Sequence, residues 1–182
     1  MAGMLRVPRS RGALSGVLLV LLGAWGALVA FVGPYFHYAY TPDRTWAYTT
    51  GRLWLEILPG AVTVIGGVIV LISSNRAFAM FGAWIAALAG AWFAVGRILG
   101  TLWTGFPQVG SPVGGTLMRA MEEIGFFTGL GVVIVFVAGL ALGRFAVVGA
   151  REAAWAEREA AAEREAEIET DTETIPGRRV AS

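Results

Sequence analysis

His37 is the only histidine, and Asp43, Glu56, Glu122 and Glu123 are the only acidic residues ahead of a charged C-terminal segment. An imidazole among carboxylates is the raw material of a metal site or of acid–base catalysis. The spacing supports neither. There is no H-E-x-x-H or comparable ligand pattern, no G-x-S-x-G and no Ser-His-Asp arrangement of familiar spacing. Gly110-Ser111-Pro112-Val113-Gly114-Gly115 matches a phosphate loop in glycine content only and leads into no Lys-Ser/Thr. Cysteine is absent, which excludes disulfides, thiolate metal sites, iron–sulfur clusters and thiol catalysis. One histidine cannot supply two haem ligands within one chain. The chain therefore reads as no enzyme, with no catalytic residue, no cofactor and no metal. What remains is a candidate ligand or partner site made of His37, Asp43, Glu56, Arg97, Glu122 and Glu123.

The elements that carry these residues are apolar. Of the 182 residues 56% are hydrophobic and only 15% charged, where a soluble domain carries about a quarter. Uncharged runs cover Gly12 to Phe36, Ile57 to Ser74, Ala77 to Gly96 and Ile124 to Gly143. Each approaches or exceeds the roughly 20 residues that cross a bilayer as helix. The stretch from Ile98 to Met118 is also uncharged but is punctuated by Gly100, Gly105, Pro107, Gly110, Pro112, Gly114 and Gly115, so it reads as a loop. A net charge of +1 gives no case for nucleic acid as a partner. All fourteen basic residues are Arg.

Their distribution sets orientation. Arg6, Arg9 and Arg11 precede the first span, Arg76 lies in the turn between the second and third, and Arg144 and Arg151 follow the fourth, against Arg44, Arg52, Arg97 and Arg119 on the opposite side, partly offset by Asp43, Glu56, Glu122 and Glu123. The expectation is a multi-pass cell-membrane protein with both termini cytoplasmic. Glu56 and Glu123 then stand at the outer beginnings of spans two and four, where a carboxylate meets the positive end of a helix dipole. The alternative is a pair lining an outer vestibule, with Glu122 as a third carboxylate and Arg97 as the partner cation. His37 and Asp43 lie in an outer loop that holds all four Tyr residues, Tyr35, Tyr38, Tyr40 and Tyr48. Such a loop suits the aromatic belt of a membrane interface, or an aromatic-lined site for a lipid, a sugar or a partner protein.

The spans fall into two similar halves. Gly23-Ala24-Trp25 aligns with Gly82-Ala83-Trp84 and Glu56-Ile57 with Glu123-Ile124, with the longer loop in the second half. The reading is two parallel helical-hairpin repeats, each with an apolar helix opening on Gly-Ala-Trp. Small residues supply close-packing faces: Gly82, Ala86, Gly90 and Ala94 on one face of span three, and Gly125-xxx-Gly129 and Gly139-xxx-Gly143 in span four. No ionisable residue lies deep in any span, which argues against an ion-coupled carrier.

The expected organisation is a cytoplasmic N-terminus over 1–11, a first transmembrane hairpin over 12–76 and a second over 77–146. A charged cytoplasmic helix over 147–168, rich in Ala, Glu and Arg, and a disordered acidic tail over 169–182 complete it. The fold class is an all-α integral membrane four-helix bundle with a cytoplasmic helical extension. Gly82-Ala83-Trp84-Ile85-Ala86-Ala87-Leu88-Ala89-Gly90-Ala91-Trp92-Phe93 and Phe126-Phe127-Thr128-Gly129-Leu130-Gly131 resemble uncharacterised four-helix membrane proteins of actinobacteria. They are also loosely similar to the SPW-repeat type of two-helix unit, although Ser-Pro-Trp is missing and Gly33-Pro34-Tyr35 stands nearest to it. The resemblance implies an actinobacterial membrane protein and transfers no function or site residue. The expected role is that of an accessory or scaffold subunit, with the lipid bilayer and a membrane protein, or a second copy of the chain, as partners. The alternative is a small permease or lipid-handling protein that uses the outer aromatic and carboxylate cluster.

Overall fold

The structure is a computed structural model, and it describes residues 10–146, 154 and 157–166. The expected N-terminal segment, the junction after Ala146 and the acidic tail lie largely outside the described residues; 157–166 is helical. Residues 10–146 form an all-helical bundle, and four of its helical stretches are long and apolar enough to cross a membrane: Gly12–Phe36, Thr50–Ile72, Arg76–Gly100 and Thr116–Ala146. A four-helix bundle is thus the fold, as the hydropathy implied.

The first span is α1 (Ser10–Val32), which tightens into a 3-10 turn over Gly33–Phe36. Pro34 lacks the N–H that would continue the α ladder. His37 ends the turn in the left-handed conformation, φ 56° and ψ 31°, and Tyr38 N–H donates to the Gly33 carbonyl at 3.1 Å. The second span begins at α2 (Thr50–Arg52), capped by Thr49, whose Oγ1 accepts the Arg52 N–H at 3.2 Å. It passes through a π turn (Leu53–Ile57) into α3 (Leu58–Ile72). Pro59 explains the π turn: its ring would strike an α-helical carbonyl four residues earlier and it offers no N–H. The widened turn leaves the Trp54 carbonyl free to accept the Trp92 indole N–H at 2.9 Å.

The chain reverses tightly at Ser73–Asn75. Asn75 caps α4 (Arg76–Gly100) by accepting the N–H groups of Ala77 and Phe78. The Arg76 side chain donates to the Phe145 carbonyl in the last turn of the fourth span, tying the two hairpins at this turn end. The fourth span is α5 (Thr116–Phe126) followed by α6 (Thr128–Ala146), with a break at Phe127, φ −129° and ψ −85°. The break is flanked by Gly125 and Gly129.

The helices pack in a ring, each sequence neighbour against the next, with α6 closing on α1. Close backbone approach makes this possible. A Cβ on Gly23 would lie 2.7 Å from the Gly60 carbonyl oxygen, and one on Gly60 2.6 Å from the Ala27 nitrogen. Likewise a Cβ on Gly131 would lie 2.5 Å from the Ala94 nitrogen. The core is Leu19, Val70, Ala83, Ala86, Phe93, Ile134 and Ala138, while Leu21, Leu88 and Phe136 point outward, as a hydrocarbon surround permits.

Several expectations change. The second and fourth spans begin at Thr50 and Thr116, so Glu56 and Glu123 sit about two turns inside their helices rather than at the beginnings. The dipole reading fails with that placement. The supposed loop from Ile98 to Met118 is shorter at both ends, because α4 runs to Gly100 and α5 starts at Thr116. Past Gly115 no breaker remains, and Leu117, Met118, Arg119, Ala120 and Met121 favour helix. Gly23-Ala24-Trp25 and Gly82-Ala83-Trp84 lie inside α1 and α4 rather than opening them. The stripe Gly82, Ala86, Gly90, Ala94 does not serve one neighbour. Gly82 and Ala86 meet Gly66 of α3, whereas Gly90 and Ala94 meet Gly131 of α6. Steps of four residues advance about 40° beyond a full turn each, so the stripe winds from one partner to the next. Gly139 and Gly143 face open space and pack against nothing.

Candidate functional site

The end of the bundle opposite the Ser73–Asn75 turn carries two long loops, and they close over the helix ends together. Thr41 N–H donates to the Ser111 carbonyl at 3.0 Å, Val113 N–H to the Ala39 carbonyl at 3.1 Å, and Ser111 N–H to Thr41 Oγ1 at 2.9 Å. Tyr40 and Pro112 thus form an isolated antiparallel bridge. Gly110 is required at this crossing, because any Cβ there would collide with Thr41.

Beneath the paired loops lies a polar cluster. Arg52 is 1% exposed, and its guanidinium donates to three carbonyls: Ala47 at 2.8 Å, Tyr40 at 3.0 Å and Pro42 at 3.2 Å. It straps the first loop down. Glu122 is 0% exposed and accepts the Ala39 N–H at 3.2 Å and the Gly114 N–H at 3.4 Å, one from each loop. Arg97 pairs with Glu123, the side chains being 27% and 42% exposed. Tyr40 donates its hydroxyl hydrogen to Glu123 at 2.6 Å and accepts from Arg97 at 3.3 Å. The guanidinium carbon of Arg97 lies 5.3 Å from the Tyr40 ring centre and 5.0 Å from that of Phe127, a cation held between two aromatic faces. Burial and then the bond to Glu123 push the Tyr40 hydroxyl pKa far up. Burial and the nearby Glu122 charge raise that of Tyr38, whose hydroxyl donates to the Met121 carbonyl at 2.6 Å.

Of the six residues picked out by type, four come together: Glu56, Arg97, Glu122 and Glu123. His37 and Asp43 stay exposed on the first loop, outside the cluster. Two members were missed. Arg52 counted only toward orientation, although an arginine four residues before a glutamate at the edge of an apolar run was a legible signal. Tyr40 was hidden among four similar tyrosines, of which Tyr35 and Tyr48 do face outward as an interfacial belt would.

Two hollows open at the same end. One, of about 540 Å³, is lined by Trp54, Trp92, Trp103, Thr104, Phe106 and Pro107. The other, of about 440 Å³, is lined by Trp25, Val29, Val32, Phe36, Tyr38 and Met118. Both are apolar surface features. Among the described residues no group of three or more His, Asp or Glu side chains is placed to hold a metal ion. No family model, no curated protein and no solved structure matches the chain.

Proposed function

We propose that this chain is a non-enzymatic, multi-pass cell-membrane protein that acts as an accessory or scaffold subunit for another membrane component. The observation that carries the reading is the closed centre of the bundle. Alanines, Leu19, Phe93 and Ile134 fill it, and Thr63, the buried polar residue of α3, spends its hydroxyl on the Pro59 carbonyl at 2.8 Å. A carrier needs a polar path or site near mid-membrane, and this packing favours a rigid support instead. The loop end, stiffened by its hydrogen bonds and edged by exposed Trp46, Tyr48, Leu102 and Trp103, is the contact surface we assign to the partner. The Arg-rich turn end faces the cytoplasm in this reading, with both termini.

The test is isolation of the tagged full chain from its native membranes in mild detergent, followed by mass spectrometry of protein and lipid. A stoichiometric protein partner is expected. Recovery of the chain alone with one enriched lipid would end the accessory reading and bring forward lipid handling, for which the tryptophan-lined hollow is the specific feature. Orientation is separately accessible because the chain has no Cys. Ser74→Cys should resist an impermeant maleimide in intact cells, and Thr45→Cys should react.

A further inference from the structure

Glu56 stands apart within the polar cluster. It is 0% exposed, and neither carboxylate oxygen has a hydrogen-bond partner among the described residues. A buried charge in that condition is costly, and native structures seldom leave one so. Among the described residues no neighbour donates a hydrogen bond to it, because the nearby donors are committed elsewhere. Arg52, one turn away on the same span, is spent on the Ala47, Tyr40 and Pro42 carbonyls. Arg97, on the third span, is engaged by Glu123 and Tyr40. These two are the cations whose fields reach Glu56. The fourth span brings Glu122 and Glu123 and an exposed Arg119 that is spent on the Gly114 carbonyl, and the first span, from Gly12 to Val32, brings no charged group.

The charges of the cluster do not cancel. With the exposed Arg44, Asp43 and Arg119 set aside, two guanidinium groups, Arg52 and Arg97, stand against three carboxylates, Glu56, Glu122 and Glu123, which leaves one negative charge. Glu122 is satisfied by two backbone N–H groups and Glu123 by Tyr40 and Arg97. Of the three, Glu56 alone has no hydrogen-bond donor on either oxygen among the described residues, so it is the carboxylate that neutralisation relieves most. Its setting is a π turn, a feature that recurs at functional sites in helices.

We propose that the Glu56 carboxyl is the binding site for one proton, whose arrival neutralises the cluster beneath the two loops. Binding to the folded chain alone stabilises it by mass action, so occupancy holds the loop end closed. The inference stands whether or not the accessory reading does, since it concerns the charge balance of the bundle and not its partner.

Thermal unfolding of the purified full chain in detergent, followed by tryptophan fluorescence, tests this with wild type and Glu56→Gln, a neutral near-isostere. One series lowers pH in choline chloride; the other replaces choline by sodium at a fixed alkaline pH. The wild-type Tm should rise relative to Glu56→Gln by about 3 °C or more in the pH series and should not respond to sodium. A rise with sodium at fixed pH would overturn the proton as the ligand. Glu56→Gln should match or exceed the loaded wild type. If Glu56→Gln is less stable by a constant margin in both series, Glu56 is an internally paired anion and the proposal is overturned. A second readout does not depend on the variant. Dicyclohexylcarbodiimide adds to buried protonated carboxyls, so wild type in sodium-free, mildly acidic buffer should gain one adduct on the peptide holding Glu56. Absence of that adduct would equally overturn the site.

Discussion

The two ends of this bundle are built on different physics. At the turn end and through the middle, helices meet through glycines, with Gly23 against Gly60 and Gly90 against Gly131, and apart from the Arg76 bond to the Phe145 carbonyl little but dispersion acts between them. At the loop end, helices and loops are joined by hydrogen bonds and charges: Arg52 to three carbonyls, Glu122 to two loops, Arg97 to Glu123 and Tyr40. The contrast follows from solvent. Hydrocarbon offers packing no competition from water, but it offers no payment for an unsatisfied polar group either. Polar chemistry is thus confined to the end where loops can supply donors and acceptors, and one carboxylate, Glu56, lies at the boundary.

The sharpest way to break the comparison is at Arg52. Arg52→Met should cost about 3 kcal/mol or more, because it frees three carbonyls and leaves Glu56 with one cation fewer. Unfolding in mixed detergent micelles would measure it, and limited proteolysis should find new cleavage between Tyr40 and Thr49. Next comes the glycine end. Gly60→Val should cost about 2–3 kcal/mol by forcing α1 and α3 apart, while Gly139→Val should stay within about 0.5 kcal/mol, since Gly139 faces open space. An equal loss at both would mean that the glycines matter for reasons other than helix approach.

A smaller effect is expected at Tyr40→Phe, about 1 kcal/mol, because Glu123 keeps Arg97 when the hydroxyl is removed. The raised hydroxyl pKa of Tyr40 gives this prediction a sign with pH. Its neutral form is favoured in the folded state, so the contribution is complete below the ordinary tyrosine value of 10.0 and is lost as pH climbs above it. Wild type should lose Tm faster than Tyr40→Phe between about pH 9 and 11. The smallest effect belongs to His37→Ala and Asp43→Asn, each within about 0.5 kcal/mol, because both side chains are exposed and outside the cluster. A large loss at either, in the same unfolding assay, would redraw the site around the first loop.

Much of this was legible without coordinates. Four long uncharged runs could only be four helices in a bilayer, since backbone groups in hydrocarbon must bond within their own segment. The short connection around Arg76 then made neighbours of the second and third helices. The position of Arg97 at the end of an apolar run with glutamates at comparable depth was enough to suggest a pairing, and Glu123 is where it is found. Helix beginnings were less legible. The charges at Glu56 and Glu123 were taken as boundaries, yet a helix propagates through any residue whose backbone stays unobstructed, and it extends back to Thr49 and Gly115, where capping or glycine ends it.

The sequence by itself determined the number of spans and the apolar surround they need, because those depend on composition along a single axis. Only the tertiary structure decided which polar side chains turn inward. Tyr38 and Tyr40 are of the same type as Tyr35 and Tyr48, in the same loop, yet the first pair meets Phe126 and the fourth span while the second faces outward. Burial of a side chain depends on what arrives beside it from Arg97, Glu122 or Ser111, positions far along the chain. No local pattern encodes that encounter, so neither the three carbonyls that Arg52 straps down nor the lack of a partner for Glu56 could be read in one dimension.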